Sequence, residues 1–190
     1  LIYCNFYIFA VTSQGLLMTN TAQREARFSV FVETNRSRAI GLAWRLLGPD
    51  QHAAEDIVQQ AFLKAWDKLE GFRGEAELST WFHTIVIRQV RSHQRRMAIR
   101  RKFAFMDRFD AARPAFAPVG DTGLRQRISE ALHCLSAGQR EAFTLVQLEG
   151  LSVTEAASTL GRAPGTVKSH LFRAHRQLRA QLGDLKENGS

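Results

Sequence analysis

A C-terminal segment carries cations and hydrogen-bond donors along one face of a pattern with helical spacing. No Asp or Glu lies between Glu155 and Asp184 to neutralise them. Guanidinium, ammonium, hydroxyl and imidazole groups bind phosphate oxygens and the hydrogen-bonding edges of bases. We therefore expect this face to bind DNA. The candidate contact residues are Arg162, Thr166, Lys168, Ser169, His170, Phe172, Arg173 and Arg176.

A second basic tract lies in the N-terminal half of the chain. Seven cations and no acid occur from Arg88 to Lys102. A helix of this composition cannot neutralise itself through pairs three or four residues apart. The favourable field at a helix C-terminus accounts for a cation or two in the last turn, but not for so many. The tract is therefore expected to bind an external anion.

The elements that position the C-terminal face are predicted by local signals. Ser152 and Glu155 have the spacing of a capping box, so a helix begins near Val153. Gly161 ends this helix, because glycine readily adopts the left-handed conformation of a helix stop, and Pro164 suits the first turn of the next helix. The second helix has a core face of Val167, Leu171, Ala174, Leu178 and Leu182. This pattern is typical of a helix-turn-helix; the alternative is a solvated basic helix in an all-α bundle.

The N-terminal half predicts three further helices. Apolar spacing from Arg27 to Gly48 indicates the first, and Asp50 is placed to cap the second, which Gly71 ends. Ser79 is predicted to cap the third, which runs into the basic tract.

Residues 103–123 lose the helical period and are rich in Pro and Gly, which predicts a flexible linker. After it, a helical apolar face is followed by a second capping box, formed by Ser136 and Gln139; the face consists of Leu124, Ile128, Leu132 and Leu135. The fold is thus predicted to be all-α, with two small helical domains at 25–102 and 124–185. The C-terminal domain is the one with the helix-turn-helix.

Composition restricts the partners. The chain has 190 residues, a net charge of +8 and a pI near 10.3, which favours nucleic acid or an anionic membrane over acidic proteins. Only Cys4 and Cys134 are present, so a disulfide framework and a zinc site are not expected, and a cytoplasmic location is the simpler interpretation. We predict no catalytic residues, no metal and no cofactor.

The N-terminal tail, residues 1–24, is treated separately. Residues 1–17 are apolar and aromatic but contain no Lys or Arg, and their apolar run is too short to span a bilayer. Because a polar run follows Met18, we expect that translation begins at Met18 or that the tail is disordered. An interfacial anchor is the alternative.

The order of these blocks resembles the extracytoplasmic-function (ECF) class of bacterial sigma-70-type sigma factors. The stretch AEDIVQQAFLKAW resembles the helix that docks on the β′ clamp helices of RNA polymerase. The stretch FRGEAELSTWFHTIVIRQV resembles the element that melts and reads the promoter −10 motif. The C-terminal stretch from Leu135 to Arg179 resembles the module that reads the −35 motif. The resemblance covers nearly all of residues 25–183.

The resemblance implies a set of partners and contact residues. The partners are core RNA polymerase, through its β′ clamp helices and β flap, promoter DNA and an anti-sigma factor. Polymerase contact is implied for Asp56, Gln59, Gln60, Phe62 and Trp66, although Phe62 is equally compatible with the core. Melting of the −10 DNA is implied for Phe72, Trp81, Arg88, Arg91, Arg95 and Arg96, since aromatic surfaces receive unstacked bases and cations hold the separated strand.

The chain departs from the family pattern in three places. Asn is usual where Arg88 stands, Asp is usual where Ser92 stands, and Arg is usual where His170 stands. The first two departures imply an unusual promoter preference. The run TVKSH around His170 is also typical of LuxR-type helix-turn-helix proteins.

Two other classes of function remain to be weighed. A LuxR-like regulator that binds DNA without polymerase fits the C-terminal half, but the N-terminal half lacks the alternation of strands and helices expected of a sensing domain. An enzyme would need an acid/base set such as Glu55 and Asp56 with His52 or His83. Neighbouring carboxylates on an exposed helix face are far more often simply solvated.

Overall fold

The computed structural model describes residues 20–48, 50–74, 76–106 and 122–182, and these residues are helical with short connections. The predicted all-α fold is confirmed, because the described residues contain no strand. In chain order the helices are α1 (Asn20–Leu47), α2 (Gln51–Lys68), α3 (Leu78–Met106), α4 (Thr122–Cys134), α5 (Ala137–Phe143), α6 (Val153–Leu160) and α7 (Pro164–Leu182). A short 3₁₀ turn, Leu69–Gly71, follows α2, and a π-helical turn, Thr144–Leu148, follows α5.

The chain divides into two compact units, with the boundary after Glu33. In the first unit, the rings of Phe28 and Phe31 lie 6.0 Å apart. The second unit begins at Thr34, so it contains residues 34–102 of the first predicted domain and all of the second. We call its described residues up to Met106 the N-terminal lobe and those from Thr122 to Leu182 the C-terminal lobe.

The N-terminal lobe is built around the packing of α2 on α3. Asp50 caps α2 as predicted, since its Oδ1 accepts a hydrogen bond of 2.9 Å from the backbone N–H of Ala53. The rings of Phe62 and Phe82 are stacked, with their centroids 4.4 Å apart. Both rings are buried, so the aromatic pair joins the two helices in the core.

Two helix starts differ from the sequence prediction. The first helix begins at Asn20, before the predicted Arg27, so the end of the assigned tail is helical. The predicted cap at Ser79 is wrong: α3 begins at Leu78, and the Ser79 hydroxyl donates instead to the Glu77 carboxylate at 3.4 Å.

Both edges of the predicted linker are helical. Helix α3 continues to Met106 and α4 begins at Thr122, so residues 103–106 and 122–123 are helical. Residues 107–121 of the predicted linker, residues 1–19 of the tail and residues 183–185 of the second domain lie outside the described residues.

The C-terminal lobe confirms the local signals of the helix-turn-helix. Ser152 and Glu155 form the capping box of α6, and Gly161 follows α6 at φ 64° and ψ 43°, in the left-handed region. Pro164 is the first residue of α7. The predicted core face of α7 is buried at Val167, Leu171, Ala174 and Leu178, with Leu182 partly buried against it. Local capping and apolar spacing therefore set both helices of the motif.

The upstream part of this lobe is only partly as predicted. Ser136 and Gln139 form the second capping box, at the start of α5. Leu132 and Leu135 are buried, but Ile128 is exposed and does not contribute to the predicted core face.

Burial of the Phe62–Phe82 pair predicts where the N-terminal lobe is most sensitive to substitution. Phe82 is 1% exposed, whereas Phe172 on α7 is 70% exposed. We expect Phe82→Ala to lower the free energy of unfolding by about 3 to 5 kcal/mol, because it leaves a cavity in the core. Phe172→Ala, the same change at the surface, is the matched control and should change stability by less than about 0.5 kcal/mol. Denaturant unfolding followed by circular dichroism measures both values, and equal losses would contradict the assigned core.

Candidate nucleic-acid and protein interfaces

The outer face of α7 presents an unbroken row of donors. The turn after α6 and the buried face of α7 fix the orientation of this helix, so that its opposite side is turned to solvent. Most of the predicted contact residues lie on this exposed side: Thr166, Lys168, Ser169, Phe172, Arg173 and Arg176. A helix that exposes cations, hydroxyls and an aromatic ring on one side has the groups needed to enter a DNA groove.

Arg162 and His170 are held inside the lobe to a greater extent than the sequence suggests. Both are half-buried, and Arg162 Nη1 lies 3.0 Å from His170 Nε2. The other terminal nitrogen of Arg162, Nη2, lies 3.3 Å from Oε2 of Glu141. Burial lowers the pKa of His170, and the guanidinium groups of Arg162 and Arg173 lower it further. The His170 ring is therefore neutral where it meets Arg162, and it is available as an acceptor.

Gly138 is a positioning residue that sequence analysis missed. A Cβ atom placed there would lie 2.5 Å from Arg162 Nη1 and 2.9 Å from His170 Nε2. Glycine at the start of α5 thus leaves the space in which these two side chains meet.

The basic tract on α3 separates into an outer and an inner part. Arg88, Arg95 and Arg96 are exposed, as a surface for an external anion requires. Arg91 instead turns inward: its Nε and Nη2 donate to the two carboxylate oxygens of Glu141 at 2.7 and 2.8 Å. This pair of hydrogen bonds raises the pKa of Arg91. Glu141, on another helix, is thus an internal anion for Arg91, whereas the pattern of the tract predicted only an external one.

Two aromatic rings meet at the start of α3. Phe72 and Trp81 are half-buried, and their ring centroids are 5.1 Å apart at an interplanar angle of 47°. Each of the two side chains is therefore partly accessible to solvent.

The surface of α2 combines polar groups with an apolar side chain. Asp56, Gln59 and Gln60 are exposed, and Trp66 is half-buried. Phe62 lies in the core at 9% exposure, which is the alternative that the sequence left open for it. Leu63, the next residue, is 53% exposed and is the apolar side chain that this part of α2 presents. The sequence gives little indication that Leu63 rather than Phe62 is exposed, since both positions carry apolar residues.

A second buried acid, Glu149, follows the π-helical turn. Its side chain is 1% exposed, and its oxygens accept from Arg38 Nε at 2.6 Å and from Arg45 Nη1 at 2.8 Å. The His83 Nε2 lies 3.8 Å from the same carboxylate. Burial lowers the pKa of His83, the negative charge of Glu149 raises it to a smaller extent, and Arg38 lowers it. Neither Glu149 nor Glu141 was a sequence candidate, because the partners of each lie on distant segments.

Family models match both halves of the chain. The model for sigma-70 region 2 matches residues 31–99, and the model for sigma-70, region 4, matches residues 125–178. The ECF RNA polymerase sigma-E factor of Escherichia coli K12 is 30% identical over 131 residues, which cover 63% of this chain and 68% of that protein. The chain belongs to the ECF class of sigma-70-type sigma factors. The ECF RNA polymerase sigma-E factor of Haemophilus influenzae is 26% identical to this sigma factor over 186 residues, which cover 92% of this chain and 97% of that protein.

Two solved structures are also similar. RpoE from Bartonella quintana, in complex with the anti-sigma factor NepR, is 31% identical, with a TM-score of 0.71 and coverage of 83% of this chain and 97% of that one. CnrH, in complex with the cytosolic domain of CnrY, is 25% identical, with a TM-score of 0.61 and coverage of 84% and 90%.

The family assigns this chain to transcription initiation as an alternative sigma factor. Because the region 2 match accounts for the N-terminal half, the LuxR-like interpretation receives no support. Within the described residues, no helix is both long and apolar enough to cross a membrane. The same part of the chain places no cluster of three His, Cys, Asp or Glu for a metal ion.

The ring of His133 makes the stability of this sigma factor depend on pH. Its buried Nε2 has no hydrogen-bond partner, and burial together with the positive charge of Arg140 lowers its pKa from 6.5 to about 4. The unfolded chain therefore binds a proton at His133 below about pH 6.5, whereas the folded chain resists it until about pH 4. The contribution of this group to stability is complete above that window and is lost as the pH falls through it.

We expect His133→Gln to reduce the loss of unfolding free energy between about pH 6.5 and pH 4, the window set by the two pKa values. Exposed His52 provides the matched control, as His52→Gln should leave the slope of the wild-type protein unchanged. Denaturant titrations at a series of pH values measure the slope, and identical slopes for both variants would argue against the buried neutral His133.

Proposed function

We propose that this sigma factor binds bacterial core RNA polymerase and directs it to promoters that have both a −10 and a −35 element. It acts by binding energy, with no bond chemistry of its own, and it works in the cytoplasm, where the polymerase is found. The observation that carries this proposal is the presence of a sigma-70 region 2 match and a region 4 match in one chain. Each matched segment presents an exposed basic surface.

The α2 surface is the proposed contact for polymerase. Asp56, Gln59 and Gln60 offer a carboxylate and two amides, and Leu63 offers an apolar contact in place of Phe62. An apolar side chain surrounded by polar groups is the usual composition of a protein interface. Trp66 lies half-buried at the next turns of the same helix and completes the surface.

The −10 contact is proposed for the open side of α3 and the aromatic pair before it. Arg88, Arg95 and Arg96 hold the phosphates of the separated strand, and Phe72 with Trp81 provides a stacking surface for an unpaired base. Because Arg88 stands where Asn is usual, we expect the preferred −10 sequence to differ from that of related sigma factors.

The −35 contact is proposed for the outer face of α7. Lys168, Ser169 and Arg173 lie on its exposed side and are placed to reach the edges of bases or the flanking phosphates. Thr166, Phe172 and Arg176 extend the same side.

The two matched regions act as separate functional domains, 25–102 and 124–185, joined by residues 103–123. Polymerase fixes the spacing at which both domains meet one promoter, so binding by one raises the effective concentration of the other. We also propose an anti-sigma factor as a regulatory partner. Support comes from RpoE and CnrH, whose similar structures contain the anti-sigma factor NepR and the cytosolic domain of CnrY.

The polymerase contact is tested by reversing charge on α2. Asp56→Lys should weaken formation of the equimolar complex with core polymerase by at least about tenfold, because like charge or loss of a hydrogen-bonded carboxylate at an interface costs several kcal/mol. Glu25, exposed on α1, gives the matched control Glu25→Lys, which should bind normally. Size-exclusion chromatography and a titration measure the complex. No complex with the wild-type protein, combined with tight sequence-specific DNA binding by the protein alone, would overturn the proposal in favour of a stand-alone regulator.

The −35 contact is tested by shortening Arg173. We expect Arg173→Ala to reduce promoter affinity of the polymerase complex by about tenfold, since a good side-chain contact to a base is worth about 1 to 3 kcal/mol. Arg36 is exposed on α1, and Arg36→Ala removes the same charge away from the proposed surface. Titration of both polymerase complexes with promoter DNA at one fixed salt concentration distinguishes the loss of a DNA contact from the effect of a lower net charge. Equal affinities for the two variants would remove Arg173 from the interface.

A further inference from the structure

We propose that the free sigma factor is latched in a closed state by two buried carboxylates of the C-terminal lobe, Glu141 and Glu149, each of which binds arginine from the N-terminal lobe. The closed state withholds Arg91 from DNA, and separation of the lobes releases it. The inference concerns regulation and rests on the DNA-binding role that the sequence predicts for Arg91.

The first latch joins three elements at one carboxylate. Arg91 of α3 forms the two-point contact with Glu141 of α5 already described, and its Nη1 lies 3.4 Å from the carbonyl oxygen of Leu160 at the end of α6. Arg162, in the turn of the helix-turn-helix, lies at 3.3 Å from the same Glu141. One acid therefore binds a basic residue from each of the two DNA-contacting segments.

A planar guanidinium binds a carboxylate and a phosphate with the same forked geometry. Glu141 thus occupies the groups of Arg91 that a DNA phosphate would use. While this contact persists, Arg91 is unavailable to the separated strand, and the region 2 surface is reduced to Arg88, Arg95 and Arg96.

The second latch is independent of every residue proposed to contact DNA. Glu149 of the C-terminal lobe receives Arg38 and Arg45 of α1, and Arg38 Nη2 also donates to the Glu149 backbone carbonyl at 2.6 Å. Because these partners belong to the N-terminal lobe, the contact links the lobes without involving the DNA surfaces. It therefore offers a way to open the molecule while leaving those surfaces intact.

A backbone oxygen lies between the two latches. The carbonyl of Leu46, at the end of α1, accepts from Gln94 Nε2 of α3 at 3.0 Å and from Arg140 Nη1 of α5 at 3.0 Å. Arg140 also donates to two carbonyls at the end of α4, those of Leu132 and His133, and to the carbonyl of Leu135 just after it. The surface where the two lobes meet is consequently rich in charged and polar contacts. Water solvates these groups when the lobes separate, so both lobes remain soluble.

The energetics of buried ion pairs suit a contact that must open. The cost of removing charges from water offsets much of their mutual attraction, so a complete pair contributes little net stability. Loss of one partner, in contrast, leaves an uncompensated charge and favours separation of the two surfaces, where water solvates it. A single substitution in the second latch is therefore expected to shift the molecule towards the open state.

The test uses two variants that break the second latch with opposite changes in net charge. Glu149→Gln removes a negative charge and Arg45→Gln removes a positive one. Asp67→Asn and Arg36→Gln are exposed controls with the same respective changes in charge. The measurements on the free full-length proteins are the radius of gyration by X-ray scattering, the affinity for a promoter DNA fragment without polymerase, and helical content by circular dichroism.

We expect both latch variants to be more extended than their controls and to bind DNA about tenfold more tightly, with unchanged helical content. An increase in the DNA affinity of Arg45→Gln is decisive, because the lower net charge of this variant by itself weakens DNA binding. Glu141→Gln should act in the same direction but also disturbs Arg162 within the C-terminal lobe, so it supports the result without deciding it.

Unchanged dimensions and unchanged DNA affinity in both latch variants would overturn the latch. Extension without a gain in affinity would overturn the withholding of Arg91. Core polymerase binding by the wild-type protein is measured in parallel: if it fails, the proposed function fails, whereas the scattering result still reports on the latch.

Discussion

The structure depends on the requirement that a buried carboxylate be paired. Glu141 and Glu149 are almost fully enclosed, and an unpaired charge in such a place would cost several kcal/mol. Arginines meet this requirement because their forked donors reach both carboxylate oxygens. Arg91, Arg38 and Arg45 come from α3 and α1, so satisfying the two acids brings the lobes together. Pairing of the two buried acids thus helps to hold one lobe against the other.

The same requirement divides the basic surface of α3 by function. Arg88 and Arg95 remain exposed to solvent. Arg91 lies about one turn from Arg88 and contacts Glu141 of the C-terminal lobe. An excess of cations therefore serves two purposes on one helix: the exposed members attract a polyanion, and the inward member holds the fold closed. In the helix-turn-helix, Arg162 and His170 contact each other, and Arg162 also pairs with Glu141, although both residues are candidates for DNA contact.

Within each lobe, helix caps and buried side chains fix the orientation of the exposed surfaces. The capping boxes and Gly161 establish the helix ends, the buried stripe of α7 sets its rotation, and the exposed side follows from that rotation. On α2, the stacking of Phe62 on Phe82 turns Leu63 and Asp56 outward. Family membership, the exposed surfaces and the sequence order all agree on a protein that works by binding polymerase and DNA.

The sequence by itself determined the helices, the capping residues, the helix-turn-helix and the family, because these depend on short-range spacing and on residue types. It also identified most of the exposed candidate residues. Only the tertiary structure decided which of two adjacent apolar residues, Phe62 or Leu63, is buried, and which arginine of a basic tract meets an acid. Glu141 lies 50 residues from Arg91, and Glu149 lies 111 residues from Arg38. Pairing over such separations is decided by how the helices pack, since no local pattern encodes the neighbour that a side chain acquires on folding.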